Sequence, residues 1–296
     1  MVKLVTFVYE GAERLGVWDD ERGVLDLMKV SSALPGNMQT LIDGGAAAMQ
    51  EVRAAVADSR ASVWIGDIST LRLLAPLPRT RKNVFCVGRN YKAHIVEAAR
   101  ARGIAPNFPT VPEFFSKPAT TIVGHETGVE RHAASTASLD YEVELGLVIG
   151  KTIRDVSREE AIEAIFGYTI VNDISARDAQ SRHNQWFKGK SFDTFCPMGP
   201  CIVTADEFGD PASHRISLSV NGGVRQDSNT ADMLFSVGEI VASLAKSTTL
   251  EAGDVVATGT PEGVAFGMPT PAYLQVGDLM EATIEGIGTL RNSIID

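Results

Sequence analysis

The chain has 296 residues, 44% hydrophobic and 22% charged, the composition of an ordinary globular protein with one large domain or a large domain and a smaller companion. Its net charge of −10, with no Lys/Arg cluster interleaved with aromatics, excludes a general affinity for nucleic acid or anionic membrane. No apolar run approaches the roughly 18 residues of a membrane span, nothing near Met1–Tyr9 reads as a signal peptide, and Cys86, Cys196 and Cys201 lack C-x-x-C spacing, so a soluble cytoplasmic protein with free thiols is expected.

In chain order, the first stretch reads as β-rich, with strands over Lys3–Tyr9, Arg14–Trp18 and Val24–Leu27 separated by Gly11, Gly23 and charged turns. Asn37 is placed to cap a short helix over Met38–Ile42, and Ala46–Ala57 carries Met49, Val52, Ala55 and Val56 at helical spacing. Pro76-Leu77-Pro78-Arg79-Thr80-Arg81-Lys82 is the best linker signal. A boundary is expected there, with residues 1–76 forming a small N-terminal α+β domain and residues 77–296 the main domain.

Beyond the linker, Asn90 is read as the N-cap of a helix that Gly103 ends. On it His94 and Glu97 are i and i+3 and share a face, the arrangement of a carboxylate-oriented general base, although spacing alone leaves a surface ion pair open. From Leu139 to Ile149, apolar residues alternate as in a strand with one face in a core. Glu142 and Glu144 therefore share the other face, roughly 7 Å apart by strand rise. That face continues as Gly146 and Val148, so it reads as closed in rather than solvated, and a hard divalent cation would relieve the repulsion of two like charges there. The apolar strand Tyr168–Ser175 is interrupted by Asp173, a candidate third oxygen ligand; spacing alone leaves a solvated sheet face open, while all-oxygen ligation would favour Mg²⁺ or Mn²⁺ over zinc. Gly146–Thr152 mimics a phosphate loop but is one residue short and built of strand formers, so nucleotide binding is rejected.

Ser157 and Glu160 form a capping box opening a helix expected to stop near Gly167, and Ser236 with Glu239 forms another. Arg177 and Gln180 can clamp a carboxylate. Lys188 and Lys190 lie beside small and aromatic residues, one of them a candidate to neutralise an oxyanion; two solvated lysines remain the alternative. Asn221-Gly222 is a two-residue hairpin signal. Thr258–Gly263 is a turn whose backbone N–H groups can face an anion. Strands without regular β-α alternation give a β-rich roll or sandwich, not a doubly wound sheet.

Together these motifs resemble the fumarylacetoacetate hydrolase family, in its bacterial branch of acylpyruvases and catechol-pathway hydratases and isomerases. The resemblance runs from about Asn83 to the C-terminus, through Val87-Gly88-Arg89-Asn90-Tyr91 with His94 and Glu97, Phe115-Ser116-Lys117-Pro118, Asp140–Leu145, Asn172–Asp178, Gly189–Asp193, Ala257–Gly263 and Gly286–Leu290. It implies a β-rich α+β fold, a mixed β-sandwich roll with the small N-terminal domain, usually dimeric. It also implies Mg²⁺ or Mn²⁺ on Glu142, Glu144 and Asp173, and His94 and Glu97 on a lid, with Lys190 as catalytic cation. Arg177, Gln180, Lys117, Gly259 and Thr260 are implied at the substrate. Val87 stands where eukaryotic members carry an additional metal-binding aspartate, which weighs against fumarylacetoacetate itself as substrate.

The expected activity is metal-dependent hydrolysis of a C–C bond in an acylpyruvate-like 2,4-dioxo acid through an enolate. A decarboxylase of oxaloacetate type, an isomerase or a hydratase on the same site is the alternative, and a non-catalytic metal- or acid-binding protein a more distant one. Specificity is expected to reside in the Arg100–Glu113, Gln180–Phe187 and Val264–Tyr273 segments, with Arg182 and His183 as candidates for a distal carboxylate.

Overall fold

The computed structural model describes residues 2–58 and 63–296. Where the sequence alternates, strands form, and their order places the acidic residues at the centre of a sheet. Among the described residues a 12-stranded sheet, a 5-stranded sheet and a 2-stranded ribbon carry the fold, with short helices between them. It is a β-rich α+β protein with mixed sheets. Most strand pairs are antiparallel, while Val255–Ala257 runs parallel to Val84–Gly88.

The strand Val143–Ile149 lies between Ile165–Asn172 and Val255–Ala257 and is buried along its whole length. Its two faces feed two different cores: Val143, Leu145 and Leu147 enter one, and Val148 the other. A Cβ on Gly146 would come within 2.9 Å of the Val171 side chain. The face carrying the glutamates is therefore enclosed, as the sequence implied.

The N-terminal strands extend this same sheet. Lys3–Tyr9 pairs with Ala12–Asp19 and also with Cys196–Thr204, in the register Lys3↔Val203 and Leu4↔Ile202. We propose that the division near Pro76 separates two sequence regions whose strands share one sheet.

Both early helices form, joined as Met38–Asp58 across a kink at Gly45, whose φ of 56° leaves the helical region. The hairpin at Asn221-Gly222 has φ of 52° and 76°, the left-handed pair that a two-residue turn requires. Both capping boxes are present. The first helix is shorter than expected, Arg158–Ile162, because the chain is already in a strand by Ile165. Gly167 is thus a strand residue, and a Cβ there would lie 2.4 Å from the Val203 carbonyl oxygen. No helix of the described residues is long and apolar enough to cross a membrane.

Candidate active site

Glu142 and Glu144 stand at the start of the central strand, and the register Val143↔Asn172 brings Asp173 beside them. The Asp173 N–H donates to the Glu142 carbonyl at 2.8 Å. One oxygen from each of the three buried carboxylates lies within 4.8 Å of the others. Their surroundings are cationic on one side. Lys190 Nζ donates to Glu142 Oε2 at 2.7 Å and to Asp173 Oδ2 at 2.5 Å. Arg177 Nη2 is 2.6 Å from Glu142 Oε1, and Lys117 Nζ donates to Asp173 Oδ1 at 2.6 Å.

Charge is unevenly compensated among the three. Burial works to raise the Glu142 carboxyl, but Lys190, Arg177 and His94 outweigh it and hold the group below the ordinary carboxylate range. Among the described residues Glu144 accepts one hydrogen bond, from the Gly259 N–H at 2.9 Å. Burial, then Asp173 and Glu142, push it well above that range. An enclosed all-oxygen set whose third carboxylate is only weakly compensated fits a hard divalent cation.

The second component comes from the helix Lys92–Arg102. Gly103 ends it in the left-handed conformation as expected, but Asn90 is not its cap; Tyr91 holds that position without a side-chain bond. The Asn90 amide is engaged elsewhere. It donates to the Thr258 carbonyl at 2.8 Å and the Phe235 carbonyl at 3.2 Å, and accepts from the Phe235 N–H. This ties the helix start to the Thr258–Gly263 turn. His94 Nδ1 lies 3.4 Å from Glu97 Oε2, with both side chains nearly enclosed. Glu97 in turn accepts the Gly263 N–H at 3.0 Å. The pair faces inward, so the surface ion-pair alternative is excluded by burial.

The anions facing the Thr258–Gly263 turn are the protein's own carboxylates, Glu144 and Glu97. Gly259 adopts a φ of +97°, and a Cβ there would lie 2.8 Å from that of Asn90, so glycine is required at this approach. Arg177 donates through Nε to Asp140 Oδ2 at 2.8 Å and through Nη1 to Gln180 Oε1 at 3.2 Å. Asp140 also accepts the N–H groups of Ala265 and Phe266, which fastens that segment to Arg177. Asp140 has no function in the sequence reading beyond its place in the Asp140–Leu145 motif; the signal for it is the alternation that puts it on the same face as Glu142 and Glu144.

His94, Glu142, Glu144, Lys190, Arg177 and Thr260 border one cavity of about 210 Å³, with Gln180 and Val87 also in its wall. Gly259 meets it through the Glu144 bond. Lys117 is placed differently from the expectation that it touches substrate. It lies behind Asp173, fully buried, and its ammonium is directed at Asp173 and the carbonyls of Ile174 and Lys190. Arg182 and His183 do not border the cavity; they line an exposed depression with Lys188 and His132.

Residues 83–295 match the fumarylacetoacetate hydrolase C-terminal family. The chain belongs to the fumarylacetoacetate hydrolase family. Within it, the chain is 40% identical over 291 residues, 95% of both chains, to oxaloacetate tautomerase YisK of Bacillus subtilis. A solved fumarylacetoacetate hydrolase from psychrophilic Exiguobacterium antarcticum is 41% identical with a TM-score of 0.83, covering 100% of this chain and 99% of that one. A solved 2-hydroxyhepta-2,4-diene-1,7-dioate isomerase from Mycobacterium marinum is 31% identical with a TM-score of 0.73, covering 100% and 98%. As a member of this family, the protein is an enzyme. Its relatives favour the tautomerase and isomerase side of the family, the alternative in the sequence reading, over C–C hydrolysis.

Proposed function

We propose that this protein is a divalent-metal-dependent tautomerase of a small 2-oxo acid of the oxaloacetate type, using Mg²⁺ or Mn²⁺ on Glu142, Glu144 and Asp173. The observation that carries this is the similarity to an oxaloacetate tautomerase along 95% of both chains. The cavity supports it in size, since about 210 Å³ lies below the roughly 300–1,000 Å³ typical of larger ligands. Family resemblance also supports a homodimer.

When bound, the cation supplies Lewis-acid polarisation of the 2-oxo oxygen and its adjacent carboxylate. The remaining work belongs to side chains. Conversion of keto to enol moves one proton from C3 to the 2-oxo oxygen, with nothing gained or lost. In this reading His94 takes the C3 proton and returns it at oxygen, and Glu97, 3.4 Å from its Nδ1, orients the imidazole. Lys190, donating to both Glu142 and Asp173, offsets part of their negative charge. Arg177, held by Asp140 and Gln180, borders the same cavity as a fixed donor to the substrate.

Hydrolysis of an acylpyruvate is the second reading, supported by the same nearly enclosed His94–Glu97 pair, which suits water activation equally well. One assay separates the two. Purified protein with Mg²⁺ or Mn²⁺ is expected to accelerate keto–enol exchange of oxaloacetate, and chelation to abolish it. His94→Ala is expected to lower the rate about 10²–10⁴-fold, and Glu142→Ala to lose both turnover and metal retention. No acceleration of exchange, with pyruvate released from an acylpyruvate instead, would overturn the tautomerase reading in favour of hydrolysis.

A further inference from the structure

Three guanidinium groups border the active-site cavity: Arg89, Arg102 and Arg177. Two are already engaged. Arg177 is held by Asp140 and Glu142, and Arg89 lies 3.3 Å from Glu113 and donates to the Asn107 carbonyl. Arg102 has no ion pair with any of the described residues, and the charges acting on it most strongly are its two positive neighbours. Arg102 is exposed where it borders the cavity, and partial desolvation, then Arg177 and Arg89, lower its affinity for the proton. An anion entering the cavity from solvent would meet this guanidinium, unpaired among the described residues.

Its placement on the helix is equally specific. His94, Ala98 and Arg102 follow one another at i, i+4 and i+8, and all three border the cavity. The helix therefore presents His94 and Arg102 from backbone positions about 12 Å apart by helical rise, with the small Ala98 between them and two long side chains free to converge on one small ligand. The ring of Phe266, which also borders the cavity, has its centroid 5.3 Å from the Arg102 Cζ. A helix C-terminus favours cations, and Arg100 and Arg102 both stand in the last turn; Arg100 is engaged by the Gly267 carbonyl at 3.2 Å, whereas Arg102 borders the cavity.

We propose that Arg102 is a specificity-determining residue that binds a second carboxylate at the distal end of the substrate, making this a site for 2-oxo dicarboxylates over 2-oxo monocarboxylates. The assignment rests on the functional reading above for the orientation of the substrate, with its 2-oxo acid end at Glu142, Glu144 and Asp173 and its far end toward Arg102.

The test uses oxaloacetate and 2-oxobutanoate, four-carbon acids that differ only in the terminal carboxylate. Calorimetric titration of the Mg²⁺-loaded full chain is expected to give a Kd for oxaloacetate about 10-fold or more below that for 2-oxobutanoate, in keeping with one charge-assisted contact. Arg102→Met is expected to bring the two within about twofold without changing the 2-oxobutanoate Kd, and Arg102→Lys to keep part of the preference. In turnover, Arg102→Met is expected to raise KM for oxaloacetate and leave kcat within about twofold. Equal binding of both acids by the unsubstituted protein overturns the assignment, as does an undiminished preference in a folded Arg102→Met. Loss of the preference in a protein that does not exchange oxaloacetate overturns the tautomerase reading and leaves Arg102 in place.

Discussion

Lys117 has each of its three ammonium protons committed inside the protein: to Asp173 Oδ1 at 2.6 Å, to the Lys190 carbonyl at 2.5 Å and to the Ile174 carbonyl at 3.1 Å. It braces a metal-site carboxylate and the backbone of the catalytic-lysine candidate together. Lys117→Met keeps the stem but leaves a charged oxygen and two carbonyls buried without a donor. Breaking such a pair from one side costs about 3–5 kcal/mol. Urea unfolding is expected to show that loss, together with weaker Mg²⁺ binding by the folded variant; a loss under about 1 kcal/mol would show that Asp173 finds another donor. At this scale the carboxylates were legible because strand alternation dictates which side chains share a face. The placement of Lys117 was not, because its acceptors come from residues 56, 57 and 73 positions away.

The helix Lys92–Arg102 packs so closely on Ala265–Gly267 that a Cβ on Gly267 would lie 2.2 Å from Glu97 Cδ. Gly267→Ala must therefore displace the Glu97 carboxylate from the Gly263 N–H and from His94. The displaced atoms are the end of a flexible side chain, so the effect is expected mainly in catalysis. We expect kcat to fall about 10–100-fold, a part of what general acid–base catalysis contributes, while stability changes by less than about 2 kcal/mol. Steady-state kinetics with a thermal melt checks both, and an unchanged kcat would show that Glu97 does not position His94. Capping boxes, the glycine stop at Gly103 and the Asn221-Gly222 turn were all readable, since each depends on residues within a few positions. The end of the Arg158–Ile162 helix was not, nor was the tie between Asn90 and Thr258. Both are decided by neighbours from distant parts of the chain, the first by strand pairing Ile149↔Ile165 and the second by a contact across 168 residues.

At the scale of the whole molecule, the seam between the N-terminal strands and the catalytic sheet runs along Cys196–Thr204, which pairs with Lys3–Tyr9 on one side and Ile165–Asn172 on the other. Sequence patterns showed that both regions are β-rich but not that they are continuous, because register between residues 3 and 203 leaves no local signature. Cys201 sits at this seam, fully buried, its Sγ directed at the Ile287 carbonyl at 3.6 Å. Burial pushes its thiol up to about 12 from an ordinary 9.0, slightly offset by Lys3. Below pH 9 both folded and unfolded chains retain this proton, and stability is at its full value. Between pH 9 and 12 only the unfolded chain releases it, so stability falls by about 1.4 kcal/mol per pH unit from this group. The other alkaline groups are common to a Cys201→Ala variant, so subtracting the two profiles isolates the thiol. Urea unfolding at several pH values from 8 to about 11 is expected to give a stability curve for Cys201→Ala that descends less steeply by close to one proton. Parallel curves would mean that the seam opens enough in the folded protein for the thiol to ionise as it does in water.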